Sequence, residues 1–340
     1  MEFSGLRPET EITLLLCARF GKDETQEHPL TLGEFNQLQR MLRKFMIPFP
    51  YLLNQGALDD LADDPEGEVL VRERIGPLLD RGTTLAAEVE RWDSRGIWVM
   101  DRTASDYPQR WLERLGDSAP PLLFGAGDAS LLNEIRHPIA VIGARDADQP
   151  ATRFTEQLCS QSAYLGHAIV SGGARGIDAI ALANAIKVGG SGVSILPGNL
   201  ERVSSQQTFR EAIVDDQLVA ASPYHPRAGF TVGNAMGRNR LIYCLADIAV
   251  VVSASEGSGG TWAGATEALR RGWLPVFVRQ SDDMPEGNRA LLEHGARPLP
   301  EKLVDDAPAF EAWLDEEISR AGTDPGPAAT RQLGLFDPST

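Results

Sequence analysis

HAIVSGGARGIDAIALANAIKVGG, residues 167–190, reads as a buried strand over Ala168, Ile169 and Val170, a glycine turn, and a helix with apolar periodicity. Gly172, Gly173 and Gly176 let the backbone pass close to a neighbour without Cβ obstruction. A helix starting near Ala174 turns its free N–H groups and positive dipole end back at that turn, which suits a phosphate. Arg175 adds a planar cationic fork beside the same spot, and Asp178 falls in the first helical turn. Two readings stand open on these residues alone: a phosphate cradle, or glycines required only for close helix–strand packing.

On either side the pattern is regular. Strand PIAVIG ends in Gly143-Ala144-Arg145 and leads into a helix through about residue 165, and GVSILPG is a further strand. An irregular stretch then leads into GFTVGNAMGRNRLIYCLA. DIAVVVSASE ends at a second glycine loop, Gly257-Ser258-Gly259-Gly260-Thr261, which opens a helix through Arg271; LPVFVR and GNRALLEHGA close the pattern. Apolar strands alternating with helices predict an α/β fold with a mainly parallel sheet and helices on both faces. Ligands of such sheets bind beyond the carboxyl ends of the strands. The loops at 143–145, 171–176 and 257–261 all carry glycine with Arg or Thr, so they are expected to converge on one edge around a phosphate-bearing ligand.

Several chemistries are disfavoured. Gly143-Ala144-Arg145 lacks the G-x-G-x-x-G of dinucleotide enzymes, and no G-x-x-x-x-G-K-[ST] is present. There is no nucleophile elbow and no pair of carboxylates at a glycine loop. Cys17, Cys159 and Cys244 are scattered, and the five histidines fall in no ligand spacing. Catalytic residues, a cofactor and a metal are therefore not expected. No apolar run reaches bilayer length and MEFSGLRPETE is not a signal peptide, so a reduced, cytoplasmic protein without membrane contact is expected.

The net charge of −16 argues at first against nucleic acid. Its distribution matters more than its total, because residues 138–300 hold 14 Lys+Arg against 15 Asp+Glu, a net −1, and the flanks carry the other −15. A local cationic groove is compatible with that balance. Residues 1–95 read as a helical domain, with EITLLLCARFG, LGEFNQLQRMLRKFM and VRERIGPLLDRGTTLAAEVERWDSRG in helical period. This domain has no basic stripe, so packing or docking is its expected role. Residues 96–137 read as a connector docking onto the core, with Asp106, Tyr107 and Pro108 in a turn. The core spans 138–304, a helix 305–321 and a flexible tail 322–340.

Taken together, SDYPQRW followed by PPLLFGAGD, then AVIGAR, VSGGARGIDAIA, GRNRLI with ADIAVVV, and GNRALLEHGA resemble the DprA/Smf family of DNA-processing proteins. The resemblance runs from about residue 104 to 300 and rests on the order and spacing of these blocks. It implies an extended Rossmann-like fold, single-stranded DNA as ligand, a RecA-type recombinase as partner and action as a homodimer. It further implies Arg145, Arg175, Arg238 and Arg240 as phosphate contacts, Asn239 as a polar contact, and Gly143, Ser171, Gly172 and Gly173 as the cradle, with Ser258, Gly259, Gly260 and Thr261 in the neighbouring loop. Arginine forks and helix-start amides can position a backbone without reading bases. The alternative for Arg238 and Arg240 is pairing with Asp247 or Glu267.

The chain departs from the family's usual pattern in one loop. Where the family has a lysine before Ser-Gly-Ser-Leu-x-Thr, this chain has Glu256-Gly257-Ser258-Gly259-Gly260-Thr261-Trp262. Gly259-Gly260-Thr261 also resembles the wider group of nucleotide-binding Rossmann-like proteins that includes phosphoribohydrolases. Those enzymes place a glutamate three residues after the Thr; here position 264 is Gly and the acid comes at Glu267. The second reading is accordingly a nucleotide sensor or hydrolase. Trp262 and Trp273 are either stacking surfaces or core. Beyond the linker TDPGPAAT, Gln332-Leu333-Gly334-Leu335-Phe336 resembles the peptide with which bacterial replication and repair proteins dock on the DNA sliding clamp. The expectation is a non-enzymatic, DprA-like binder of single-stranded DNA.

Overall fold

Runs of Val, Ile, Leu and Ala with no polar alternation suit strands buried on both faces. In the computed structural model, which describes residues 5–20, 28–62 and 70–323, such runs build one sheet. Its strands are β1 (Trp98–Asp101), β2 (Leu122–Ala126), β3 (Ile139–Ile142), β4 (Ile169–Ser171), β5 (Gly192–Ile195), β6 (Leu218–Ser222), β7 (Ile248–Val251), β8 (Val276–Gln280) and β9 (Arg297–Pro300). Across the sheet they stand in the order β1-β2-β6-β5-β4-β3-β7-β8-β9. Every pair from β6 to β9 is parallel, while β2 runs antiparallel to both β6 and β1. The α/β class with a mainly parallel sheet is therefore as expected.

Helices α1 (Pro8–Cys17), α2 (Leu32–Lys44), α3 (Gln55–Ala62), α4 (Gly76–Leu79) and α5 (Gly82–Asp93) precede the sheet. α6 (Gln109–Leu115) and α7 (Leu131–Glu134) flank β2. α8 (Gln149–Tyr164), α9 (Ile177–Lys187), α10 (Leu200–Ser204) and α11 (Gln207–Val214) connect β3 to β6. α12 (Val232–Leu245), α13 (Gly259–Arg271) and α14 (Glu286–Glu293) connect β6 to β9, and α15 (Glu301–Asp305) and α16 (Ala307–Thr323) follow. The period-2 alternation of each strand divides the core in two. Ile142, Val170, Ile195 and Val251 face α12 and α13. Ile139, Val141, Ile169 and Val250 face α8, α9 and α16.

The segment 96–137 holds the strand, helix and strand that its sequence suggests, as β1, α6 and β2, and its strands join the margin of the sheet. Trp111 anchors it, fully buried, with Nε1 donating to the Leu241 carbonyl at 2.9 Å. α9 begins at Ile177, three residues after Ala174, because Gly173 (φ +63°) and Gly176 (φ +90°) hold the turn in left-handed backbone. The long helix expected across 71–96 is broken into a π-helical turn, α4 and α5; at the break Arg81 donates to the carbonyls of Leu78 (3.3 Å) and Ala18 (3.1 Å). Trp273 belongs to the core, and Trp262 is partly buried and meets His294 edge-on at 5.5 Å. Among the described residues no helix is long and apolar enough to cross a membrane.

Helix α1 is tied to the sheet margin through a buried carboxylate. Asp101, 1% exposed at the end of β1, accepts from Thr10 Oγ1 (2.6 Å), Thr103 N (2.7 Å) and Thr103 Oγ1 (2.5 Å). Asp101→Ala leaves the buried Thr10 hydroxyl without its acceptor and is expected to destabilise the protein by about 1–3 kcal/mol. Urea unfolding monitored at Trp98 and Trp92 should show the midpoint fall, and an unchanged midpoint would deny Asp101 this role.

Candidate functional site

β3 is followed by β4, β5 and β6 on one side, while β7, β8 and β9 extend the sheet on the other, so the strand order reverses between β3 and β7. A crevice at such a reversal is where open α/β sheets hold ligands. The three glycine loops do meet there. Ala144 N donates to Ser253 Oγ at 3.2 Å, and Thr261 Oγ1 donates to the Gly143 carbonyl at 3.1 Å. Ile177 N donates to the Ala144 carbonyl at 3.2 Å, tying the start of α9 to the β3 loop. From α12, Asn239 Nδ2 donates to the Gly260 carbonyl at 2.9 Å. Asn239 and Thr261, read as ligand contacts, thus serve here as ties between loops.

Much of the glycine content answers to this packing. A Cβ on Gly143 would press on the Ile177 side chain at 2.6 Å, and one on Gly173 on Ser194 Oγ at 2.6 Å. A Cβ on Gly172 would collide with the guanidinium of Arg238 and meet Asp178 Oδ2 at 2.5 Å. Ser171 is buried in β4, and its hydroxyl donates to the Val141 carbonyl at 2.7 Å.

Arg238 and Asp178 form the floor of the crevice. Arg238 is 4% exposed and its Nη1 donates to the Ile195 carbonyl at 2.6 Å. Asp178 is 6% exposed, and its Oδ1 has no hydrogen-bond partner. Burial raises the Asp178 pKa to about 6, against the pull of the Arg238 charge and of the nearby Gly143, Ala174 and Gly172 amides. Burial likewise lowers the pKa of Arg238, with Asp178 opposing. Among the described residues no ion pair joins Arg238 or Arg240 to Asp247 or Glu267, and Asp247 is taken by Arg110 at 3.2 Å and by His137 at 3.1 Å. Arg240 is half-buried on α12, with its Nε buried and unpaired.

Above this floor lies an exposed rim. Arg145 is exposed and its guanidinium stacks over the Phe230 ring at 5.3 Å from the centroid. Phe230 is 48% exposed, with the exposed apolar residues Val232 and Met236 following it. Arg175 is exposed and reaches Asp146 at 2.5 Å, an ion pair whose members are 78% and 88% exposed. Such a pair is worth little in water and opens easily to a competing anion. Glu256, Gly257, Ser258 and Gly259 are exposed where α13 begins. Phe230 was missed by motif reasoning. Its signal is its place just before Thr231, whose hydroxyl caps α12 by accepting from Asn234 N at 3.0 Å and so keeps Phe230 outside the helix.

Fold and crevice together define a Rossmann-like α/β protein whose ligand loops sit where the strand order reverses. The sequence pattern of the DNA recombination-mediator protein A family matches residues 98–307, and the chain belongs to that family. It is 28% identical over 230 residues to DNA processing protein DprA of Bacillus subtilis, covering 67% of this chain and 74% of that protein. It is 28% identical over 204 residues to protein Smf of Escherichia coli, covering 58% of this chain and 54% of that one. Among solved structures, DprA of Streptococcus pneumoniae superimposes with a TM-score of 0.62 at 21% identity, covering 83% of this chain and 93% of that one, a likeness of fold. DNA processing protein A of Helicobacter pylori, which has a single-stranded DNA binding mode, matches with a TM-score of 0.54 at 25% identity, covering 65% and 97%.

The Asp178 shift has a thermodynamic consequence. Because its folded pKa lies above the ordinary aspartate value of 3.8, the native state holds the proton more tightly than the unfolded chain does. Ionising Asp178 therefore costs stability as pH rises from about 4, and the loss is complete above about 6. Relative to Asp178→Asn, which cannot titrate, the wild type is expected to lose on the order of 2–3 kcal/mol between those limits. Unfolding midpoints of both proteins across that range test this, and parallel pH profiles would refute it.

Proposed function

We propose that this chain is a non-enzymatic mediator of recombination that binds single-stranded DNA across the rim formed by Arg145, Arg175 and Phe230. The observation that carries the reading is the Arg145 guanidinium lying on an exposed Phe230 ring, beside a second exposed arginine. Cations track a phosphate backbone and an aromatic face stacks bases without regard to sequence. The family membership supports the ligand, and the H. pylori relative has it. Ser258 to Thr261 at the start of α13, together with Arg240, are proposed to border the same path. Gly143, Ser171, Gly172, Gly173, Arg238 and Asn239 are proposed to hold the rim in place from below. Delivery of DNA to a RecA-type recombinase, a homodimeric state and a cytoplasmic setting follow from the family resemblance and the cysteine usage, and are proposed with it.

One packing detail supports the non-enzymatic reading over the hydrolase. A side chain at Gly264, where the phosphoribohydrolases carry their glutamate, would meet the Tyr243 ring at 2.8 Å.

Fluorescence anisotropy of labelled oligo-dT gives the test. Arg145→Ala and Arg175→Ala are each expected to weaken binding about tenfold and to reduce the salt slope by about 0.7. Phe230→Ala is expected to cost about 1–3 kcal/mol with the salt slope unchanged. Asp146→Asn should tighten binding about two- to fivefold by freeing Arg175. Wild-type affinity in the double variant Arg145→Ala/Arg175→Ala would remove the rim from the interface.

The tail peptide Gln332, Leu333, Leu335 and Phe336 lies outside the described residues. By its sequence it is proposed to dock the protein on the sliding clamp. Leu335→Ala/Phe336→Ala should abolish co-elution with purified clamp and leave oligo-dT affinity unchanged. Co-elution that survives the double substitution would assign clamp contact elsewhere.

A further inference from the structure

We propose that the N-terminal helices take part in the nucleic-acid rim: Glu88 on α5 is a positioning residue that fixes the loop 223–231 and with it the place of Phe230. The inference deepens the reading above and rests on it for Phe230 as a stacking face. The loop leaves β6 after Ser222, contains neither strand nor helix, and ends at Thr231, which caps α12. Such a segment takes its path from the hydrogen bonds and side chains that meet it. Phe230 stands at its far end, under the Arg145 guanidinium.

Two walls hold the loop. One is the start of α10, where Asn199 N donates to the Ala228 carbonyl at 2.6 Å and Glu201 N to the Pro226 carbonyl at 3.1 Å. The other is α5, where the buried Glu88 carboxylate accepts from Arg227 Nη2 on Oε1. Its Oε2 lies 3.5 Å from Nε2 of His225. Arg227 N donates to Nδ1 of that histidine at 3.2 Å, so in the neutral ring the proton sits on Nε2 and faces the carboxylate. Trp92 meets the His225 ring edge-on at 5.6 Å. One side chain of α5 thus grips the turn at His225 and Arg227, three residues before Phe230.

The same face of α5 also holds the opposite wall. Arg91 donates to Glu201 through Nε (3.2 Å) and Nη2 (2.6 Å), and Arg95, just beyond the helix, reaches it at 3.1 Å. Glu88, Arg91, Trp92 and Arg95 follow at three- and four-residue spacing, which puts them on one side of a helix. Without the Glu88 carboxylate, Arg227 and His225 lose their common partner and the loop is held from the α10 side alone. Phe230 then keeps its ring but not its fixed place, and a face that must be ordered on binding costs affinity. Were Glu88 instead only a mask on Arg227, its removal would free a half-exposed cation and tighten binding.

Hydrogen exchange of the free full-length chain and oligo-dT anisotropy together test this. Glu88→Ala should speed exchange across 224–231 about tenfold and leave β3, β4 and β7 unchanged. It should weaken oligo-dT binding about three- to tenfold with the salt slope unchanged, because no phosphate contact is lost. In a Phe230→Ala background the further loss from Glu88→Ala should vanish, which a general loosening of the structure would not produce. Unchanged exchange at 224–231 would overturn the proposal, as would tighter binding or a loss of equal size in the Phe230→Ala background. If Glu88→Ala does not fold, Glu88→Gln, which keeps the size and removes the charge, decides by the same readouts. If Phe230→Ala alone leaves oligo-dT affinity unchanged, the rim reading falls, and exchange at 224–231 alone decides whether Glu88 fixes the loop.

Discussion

Gly172 has no side chain, and the buried guanidinium of Arg238 sits where its Cβ would be. Much of the crevice depends on that one substitution of space. From there Arg238 reaches the Ile195 carbonyl at the end of β5, and its charge offsets Asp178 at the start of α9. A buried cation and a buried carboxylate are each costly alone, and removing one strands the other. Helices α9 and α12, the loop at Gly172 and the end of β5 thereby meet around these two buried charges. The hydrogen bonds from Ala144 to Ser253 and from Thr261 to Gly143 extend the same constraint to the loop after β7.

Charge is arranged in two layers above this floor. The buried layer is balanced, Asp178 against Arg238. The exposed layer is mixed: Arg145 lies on an aromatic ring, Arg175 on Asp146, and Glu256 stands at the entrance to α13. A mixed rim on a chain of net charge −16 binds polyanions less avidly than a basic groove would. On the proposed rim an anion approaching Arg175 would have to displace Asp146 first, so competition with that carboxylate bears on affinity as well as the number of arginines.

The fold was legible because burial on both faces removes polar residues from strands, and the central runs of the sequence carry that mark openly. Convergence of the glycine loops was legible for the same reason, since parallel strands deliver every following loop to one edge. The roles of individual residues were less so. Arg145 and Arg238 are both arginines in glycine-bearing segments, yet one is exposed and the other 4% exposed, and that depends on which face of α12 points inward. Position along a helix that is apolar on one face would reveal this, but α12 carries Gly233, Gly237, Arg238 and Asn239 in a mixed pattern. Asp178 was visible as a first-turn acid, and its burial beneath Gly172 was not, because that depends on a contact across sixty residues. The pairing of β2 with β6 was likewise hidden, as register between distant strands leaves no local trace.

The antiparallel margin lies at the far end of the sheet from the crevice. Adding β2 and β1 beyond β6 lengthens the sheet away from the site, and the N-terminal helices then close that edge through Trp92, Phe124 and the Asp101 network. An uncovered edge strand invites pairing with another chain. β3 and β7 are interior strands paired on both sides, so the loops beyond their carboxyl ends carry no such liability. The loops there can be short and rich in glycine, holding arginines at the surface while their acidic counterpart stays below.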